Sequence, residues 1–136
     1  MKLFVLDNSV VSGWLLDNQA TPYSDAVARL LQTSRAVAPP LLRLEYTNVL
    51  RTACKRQKLI AEQAYEMLDM LGQLPIEIDT VVAAPPQLFD LALRHDLTTY
   101  DALYLDVALR RGLPVATQDM ALANAARASG VGVVSA

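Results

Sequence analysis

The chain has 136 residues and carries 12 Lys and Arg against 14 Asp and Glu, a net charge of −2. At about 150 residues per domain, that length predicts a single domain over 1–136 and leaves no room for a second core. A hydrophobic fraction of 53% with only 19% charged residues excludes disordered and fibrous chains. The acidic balance supplies no general attraction for nucleic acid, so an RNA or DNA contact needs a local basic patch or metal ions. One cysteine, Cys54, cannot close an intrachain disulfide, which suits a reducing compartment and predicts the cytoplasm. No uncharged run approaches the ~18 apolar residues of a membrane span. Asp7 interrupts the apolar N-terminal run, so neither a membrane nor a secretory signal is expected.

Lys2-Leu-Phe-Val-Leu-Asp7 is a short, almost unbroken apolar run, the pattern of a strand buried on both faces of a parallel sheet. Similar runs recur at Ala36–Ala38, Pro75–Asp79, Pro114–Thr117 and Val131–Val134. Between them lie helical patterns at Ser9–Leu16, Tyr23–Leu31, Pro40–Lys55, Ala61–Leu71, Pro86–Arg94, Thr99–Arg111 and Met120–Ala128. Pro40 suits a first helical turn, Leu42, Tyr46, Val49 and Ala53 form one stripe, and Gly112 and Gly130 are candidate C-terminal caps. The alternation predicts an α/β fold, a three-layer α/β/α sandwich around a five-stranded parallel sheet with right-handed crossovers.

Four acids are placed differently from the rest. Asp7 follows the first strand at its carboxyl end, where open α/β sheets bind ligands; it is equally readable as the N-cap of the next helix. Glu45 sits at the boundary of the apolar stripe, where a charge is costly unless paired or metal-bound, though an edge residue can also reach water. Asp101 completes Thr98-Thr-Tyr-Asp101, the form of a capping box. Asp119 follows the fourth strand and precedes a helix, a capping position. Taken singly, each has a structural explanation; together they are consistent with one sheet edge. If they converge, they cannot all stay ionised without cations. An oxygen-only set selects hard ions such as Mg²⁺ or Mn²⁺ over zinc. The only histidine, His95, reads as a helix-end residue.

Four segments carry a resemblance over nearly the whole chain: Val5-Leu-Asp-Asn-Ser-Val10, Ala38-Pro-Pro-Leu-Leu-Arg-Leu-Glu-Tyr-Thr-Asn-Val-Leu50, Thr99-Tyr-Asp-Ala-Leu-Tyr-Leu105 with Gly112-Leu-Pro, and Ala116-Thr-Gln-Asp-Met-Ala-Leu122 with Ala125-Ala126. In this order they resemble the PIN-domain endoribonucleases, and among them the VapC-like toxins of toxin–antitoxin systems. The resemblance implies that Asp7, Glu45, Asp101 and Asp119 form a metal-binding catalytic cluster for one or two Mg²⁺ or Mn²⁺ ions, supported by the hydroxyls of Ser9 and Thr117. It implies hydrolysis of RNA to a 5′-phosphate and a 3′-hydroxyl, a cognate antitoxin that occludes the acidic pocket, and a homodimer. Asn8, where the family commonly has a small residue, and Asp106, in a run usually small or apolar, are departures. Asp106 lies about 140° round the helix from Asp101 and is expected in solvent or at an interface.

Arg43, Arg51, Lys55, Arg56 and Lys58 are candidate RNA-backbone contacts, with a solvated helix face as the plainer reading. Val10, Val11, Trp14, Leu15, Val27 and Leu30 suggest an antitoxin groove or dimer surface, or core packing. Rival functions are a solitary RNA-processing nuclease of the same fold and a non-catalytic scaffold. A haloacid-dehalogenase-like phosphatase would need a second Asp where Ser9 stands. A receiver-like module using Asp79 would need a lysine near Ser135.

Overall fold

The computed structural model describes residues 2–135. β1 (Leu3–Leu6) leads into α1 (Asn8–Leu15), a 3-10 turn over Asp17–Gln19, and α2 (Pro22–Leu30). Then follow β2 (Arg35–Ala38), α3 (Leu41–Lys55), α4 (Ala61–Gly72), β3 (Ile76–Ile78), α5 (Pro85–His95), α6 (Thr99–Arg111), β4 (Val115–Ala116) and α7 (Met120–Ala128). Every helix predicted from periodicity is present, its ends within about a residue of the expected ones. The 3-10 turn is too short to show a period in the sequence.

The sheet is parallel throughout, with strand order β3-β2-β1-β4. Among the described residues it has four strands, not five. The predicted strand at Val131–Val134 contributes a single bridge, Val133 to Val115. Gly130 and Gly132 flank its start at φ of 82° and 80°, and these left-handed residues break the extended run before a ladder can form. Helices flank the sheet. Phe4, Val5 and Leu6 are 3%, 0% and 0% exposed, and since successive strand residues point to opposite faces, both faces are covered.

Leu42, Leu50, Tyr104, Leu105 and Leu122 join β1 and β2 in one buried cluster. Each fully buried leucine there contributes about 1.5–3 kcal/mol. Val10, Val11, Leu15 and Val27 belong to this cluster, which decides for core packing over a groove or dimer surface at these four; Trp14 and Leu30 of that set are half-buried. The reason is close packing of α1 on α2. Trp14 Nε1 donates to Ser24 O at 2.7 Å, and a Cβ on Gly13 would come within 2.6 Å of Ser24 Oγ. Gly112 caps α6 in the left-handed conformation as predicted, while Asp96 takes that conformation after α5.

The strand order places the site. From β1 the chain moves outward through β2 to β3, then returns to lay β4 on the other side of β1. The carboxyl ends of β1 and β4 therefore flank the topological switch point, the crevice where open α/β sheets bind ligands.

Candidate active site

Asp7 extends β1 into this crevice. Its N–H donates to Ala116 O at 3.1 Å, which sets Asp7 opposite Thr117. Thr117 Oγ1 and Ser9 Oγ each donate to Asp7 Oδ2 at 2.7 Å. The two hydroxyls are themselves fixed: Ser9 Oγ accepts from Gln118 N–H at 2.8 Å, and Thr117 Oγ1 from Asp119 N–H at 3.0 Å. Asp7 occupies the N-cap position of α1 but makes no side-chain capping bond, so capping does not account for it. Asp7 is 4% exposed. Burial raises its pKa above the ordinary carboxylate range, opposed by the Ser9 and Thr117 hydrogen bonds.

Asp119 does cap α7, accepting from Ala121 N–H through Oδ1 at 3.0 Å. Asp101 stands in the first turn of α6. Thr98 Oγ1 accepts its N–H at 3.1 Å, but the return half of the capping box is not formed. The Asp101 carboxyl lies instead close enough to Asp119 to be affected by its charge. Its pKa is raised to about 7, first by burial, then by Asp119, Asp7 and Glu45.

Glu45, in the second turn of α3, accepts a hydrogen bond from the Tyr104 hydroxyl. Burial lifts its pKa, the Tyr104 bond opposes this, and the Asp7 charge adds to it. Tyr104 is fully buried and lies three residues after Asp101, on the same face of α6. Sequence reasoning missed it. The available signal was that spacing, together with the rule that a buried tyrosine hydroxyl finds a partner.

The structure thus brings all four predicted acids, and both predicted hydroxyls, to the β1–β4 crevice, electrostatically coupled to one another. Among the described residues, no three such side chains stand close enough to hold one ion as placed. The physical reason is visible in their partners. At an effective dielectric near 20, two carboxylates about 4 Å apart repel by about 4 kcal/mol. Here Asp7 is accordingly held by hydroxyls and Glu45 by Tyr104, while the pKa of Asp101 is pushed up by burial and by its acidic neighbours. The donor set is all oxygen, which fits a hard divalent cation. Asn8 Oδ1, next to Asp7, is a buried oxygen with no hydrogen-bond partner among the described residues.

The other singled-out residues fall elsewhere. His95 ends α5, its Nε2 3.4 Å from Ser129 Oγ. Asp106 is not free in solvent: it pairs with Arg110 at 3.0 Å, an i to i+4 contact that spacing alone allowed. Asp79, 3% exposed, is held by Arg110 at 3.1 Å and Arg111 at 2.7 Å. Burial acts to raise its pKa, but the two guanidinium groups outweigh it and hold the carboxyl low. Arg43, Arg51, Lys55, Arg56 and Lys58 make no ion pair among the described residues. No helix is long and apolar enough to cross a membrane among the described residues.

The PIN domain family matches residues 4–128. Ribonuclease VapC1 of Mycobacterium tuberculosis, in two strains, is 39% identical to this chain over 98 residues, 71% of each protein. The crystal structure of PAE2754 from Pyrobaculum aerophilum superposes with a TM-score of 0.67 at 17% identity, covering 98% of this chain and 88% of that one. At that identity the likeness concerns the fold.

Proposed function

The chain belongs to the PIN-domain family, and on that premise we propose that it is a metal-dependent endoribonuclease, the toxin of a toxin–antitoxin pair. One observation carries this reading. Asp7, Glu45, Asp101 and Asp119 gather at the β1–β4 crevice, with Asp7 held by two hydroxyls, Glu45 by Tyr104 and Asp119 at the α7 cap, a concentration of like charge that a scaffold would have no use for. The name of the Mycobacterium relative, a ribonuclease, supports RNA as the substrate.

Asp7, Glu45, Asp101 and Asp119 would hold one or two ions, Mg²⁺ or Mn²⁺. Such ions supply an activated water for attack on phosphorus and neutralise charge on the leaving oxygen. The chain's own part is positional. Ser9 and Thr117 fix the Asp7 carboxylate, Tyr104 fixes Glu45, and the α7 cap holds Asp119. RNA is cut to a 5′-phosphate and a 3′-hydroxyl. We read 1–136 as one domain, a three-layer sandwich, acting in the cytoplasm. Its antitoxin covers the acidic crevice with a basic side chain. Phe89 and Leu93, one turn apart on α5 and 61% and 68% exposed, support a homodimer, which sedimentation at micromolar concentration tests.

Brief expression of the wild type and of Asp101→Asn in bacteria, with new 5′-phosphate RNA ends mapped across the transcriptome, tests the activity without a guess about the target. Discrete ends confined to the wild type support the reading. Their absence with both proteins folded favours the scaffold. A short upstream reading frame encoding a DNA-binding antitoxin separates a toxin from a solitary nuclease.

A further inference from the structure

A cavity of about 220 Å³ opens between the end of α1 and the end of α3. It is lined by Asn18, Gln19, Asn48, Thr52, Arg56 and Lys58 above an apolar floor. We infer that this cavity is a subsite for the backbone and bases of single-stranded RNA, continuing the path of the strand away from the acidic crevice. The inference rests on the endoribonuclease reading.

At about 100° per residue, Asn48, Thr52 and Arg56 all lie within about 60° of Glu45 round the helix, so a single stripe of α3 runs from the acid cluster into the cavity. At 1.5 Å per residue, Arg56 lies about 16 Å along the helix from Glu45, a span of a few nucleotides. α1 starts beside Asp7, packs against α3, and is followed by the 3-10 turn that brings Asn18 and Gln19 to the opposite wall. Both helices thus leave the crevice and meet again at the cavity.

The ion-paired arginines of the described residues are Arg94, Arg110 and Arg111. Arg56 and Lys58 have no carboxylate partner among the described residues, and no acid lines this cavity; Asp17 lines the adjoining hollow. In a chain of net charge −2, this is a local positive site beside a site built to bind cations. Guanidinium and ammonium groups suit phosphates, and the three amides suit base edges.

The backbone supports the same placement. Gln57 sits at φ 62°, a left-handed conformation that costs a side-chain-bearing residue about 1–2 kcal/mol. Its N–H donates to Cys54 O at 3.0 Å, and that of Lys58 to Ala53 O at 2.9 Å, closing a Schellman motif. The reversal brings Lys58 back to the cavity beside Arg56. Arg43 and Arg51 fall on other faces of α3, and Arg51 lines a separate groove against α4.

Fluorescein-labelled single-stranded RNA of random sequence is the probe, followed by anisotropy over a salt series with Ca²⁺ present, and Mn²⁺-dependent cleavage is measured alongside. Arg56→Gln with Lys58→Gln is expected to weaken binding at least several-fold and to reduce the slope of log affinity against log salt by about 1.4, at about 0.7 per phosphate contact. Arg43→Gln with Arg51→Gln is expected to leave both unchanged. A wild type that cleaves RNA while the Arg56 and Lys58 changes leave binding intact, or are matched by the Arg43 and Arg51 changes, overturns the subsite alone. A wild type that neither binds nor cleaves overturns the subsite and the nuclease reading together.

Discussion

Asp101→Asn is expected to stabilise the metal-free protein while abolishing its activity, an inversion of the usual effect of deleting a buried polar group. The Asp101 carboxyl is raised from 3.8 to about 7 by burial and by Asp119, Asp7 and Glu45. Between those two values the folded state holds a proton that the unfolded chain releases, so folding stability falls as pH rises through this window. The cost is absent below pH 3.8 and complete above about 7. At about 1.4 kcal/mol per pH unit, a shift of about 3 units sets a ceiling near 4 kcal/mol. Asp101 is only half-buried and solvent screens the repulsion, so about 1–2 kcal/mol is the working figure. For a chain of this size that is a rise in Tm of about 4–8 °C. The assay is thermal unfolding followed by circular dichroism in EDTA, at pH 8 and pH 4. The substituted amide cannot carry the charge, so the variant should gain at pH 8 and lose that gain at pH 4. A variant neutral or less stable than wild type at pH 8 would refute the claim that the four acids repel one another in the empty crevice.

Three other outcomes follow from the same contacts. Tyr104→Phe removes the donor to Glu45 and is expected to lower Mn²⁺ affinity about 10-fold, as loss of a ligand's hydrogen-bond partner commonly does; titration followed by electron paramagnetic resonance reads this, and unchanged affinity would remove Tyr104 as a positioning residue. Asp79→Asn leaves Arg110 and Arg111 without their shared acid and should cost about 1–3 kcal/mol in urea unfolding, less than a fully buried pair because both arginines are partly exposed. Because the Asp79 pKa is lowered in the fold, its stabilisation is present above the unfolded value near 3.9 and lost as pH falls through the folded value. Wild type should therefore be more acid-labile than Asp79→Asn in relative terms, and parallel pH curves for the two would count against the clamp.

Much of this was legible in the chain, for reasons that differ from part to part. β1 announced itself because burial on both faces removes the alternation of polar residues. Long helices kept their period, so their ends came out within about a residue. The strand order was not legible, since pairing of β4 with β1 joins segments over a hundred residues apart, and no local pattern encodes it. The fifth strand failed on backbone grounds: the valines of Val131–Val134 have strand propensity, but Gly130 and Gly132 turn the chain. At the site, Asp101 and Asp119 looked like caps because they follow capping rules; Asp119 is one, and Asp101 receives Thr98's cap without returning it. Only the fold shows where the remaining oxygens go. Tyr104 was hidden in the apolar stripe of α6, and the arginine partners of Asp79 lie 31 and 32 residues further along, beyond any local signal.

The most direct test of the central claim is hydrolysis of 5′-labelled single-stranded RNA by the purified protein, in EDTA and then with added Mg²⁺ or Mn²⁺, beside folded Asp101→Asn. Cleavage by the wild type is expected only when the divalent ion is present, with 5′-phosphate products, and none by the variant. Cleavage in EDTA, or by the folded variant, would contradict a metal-dependent site built on Asp7, Glu45, Asp101 and Asp119.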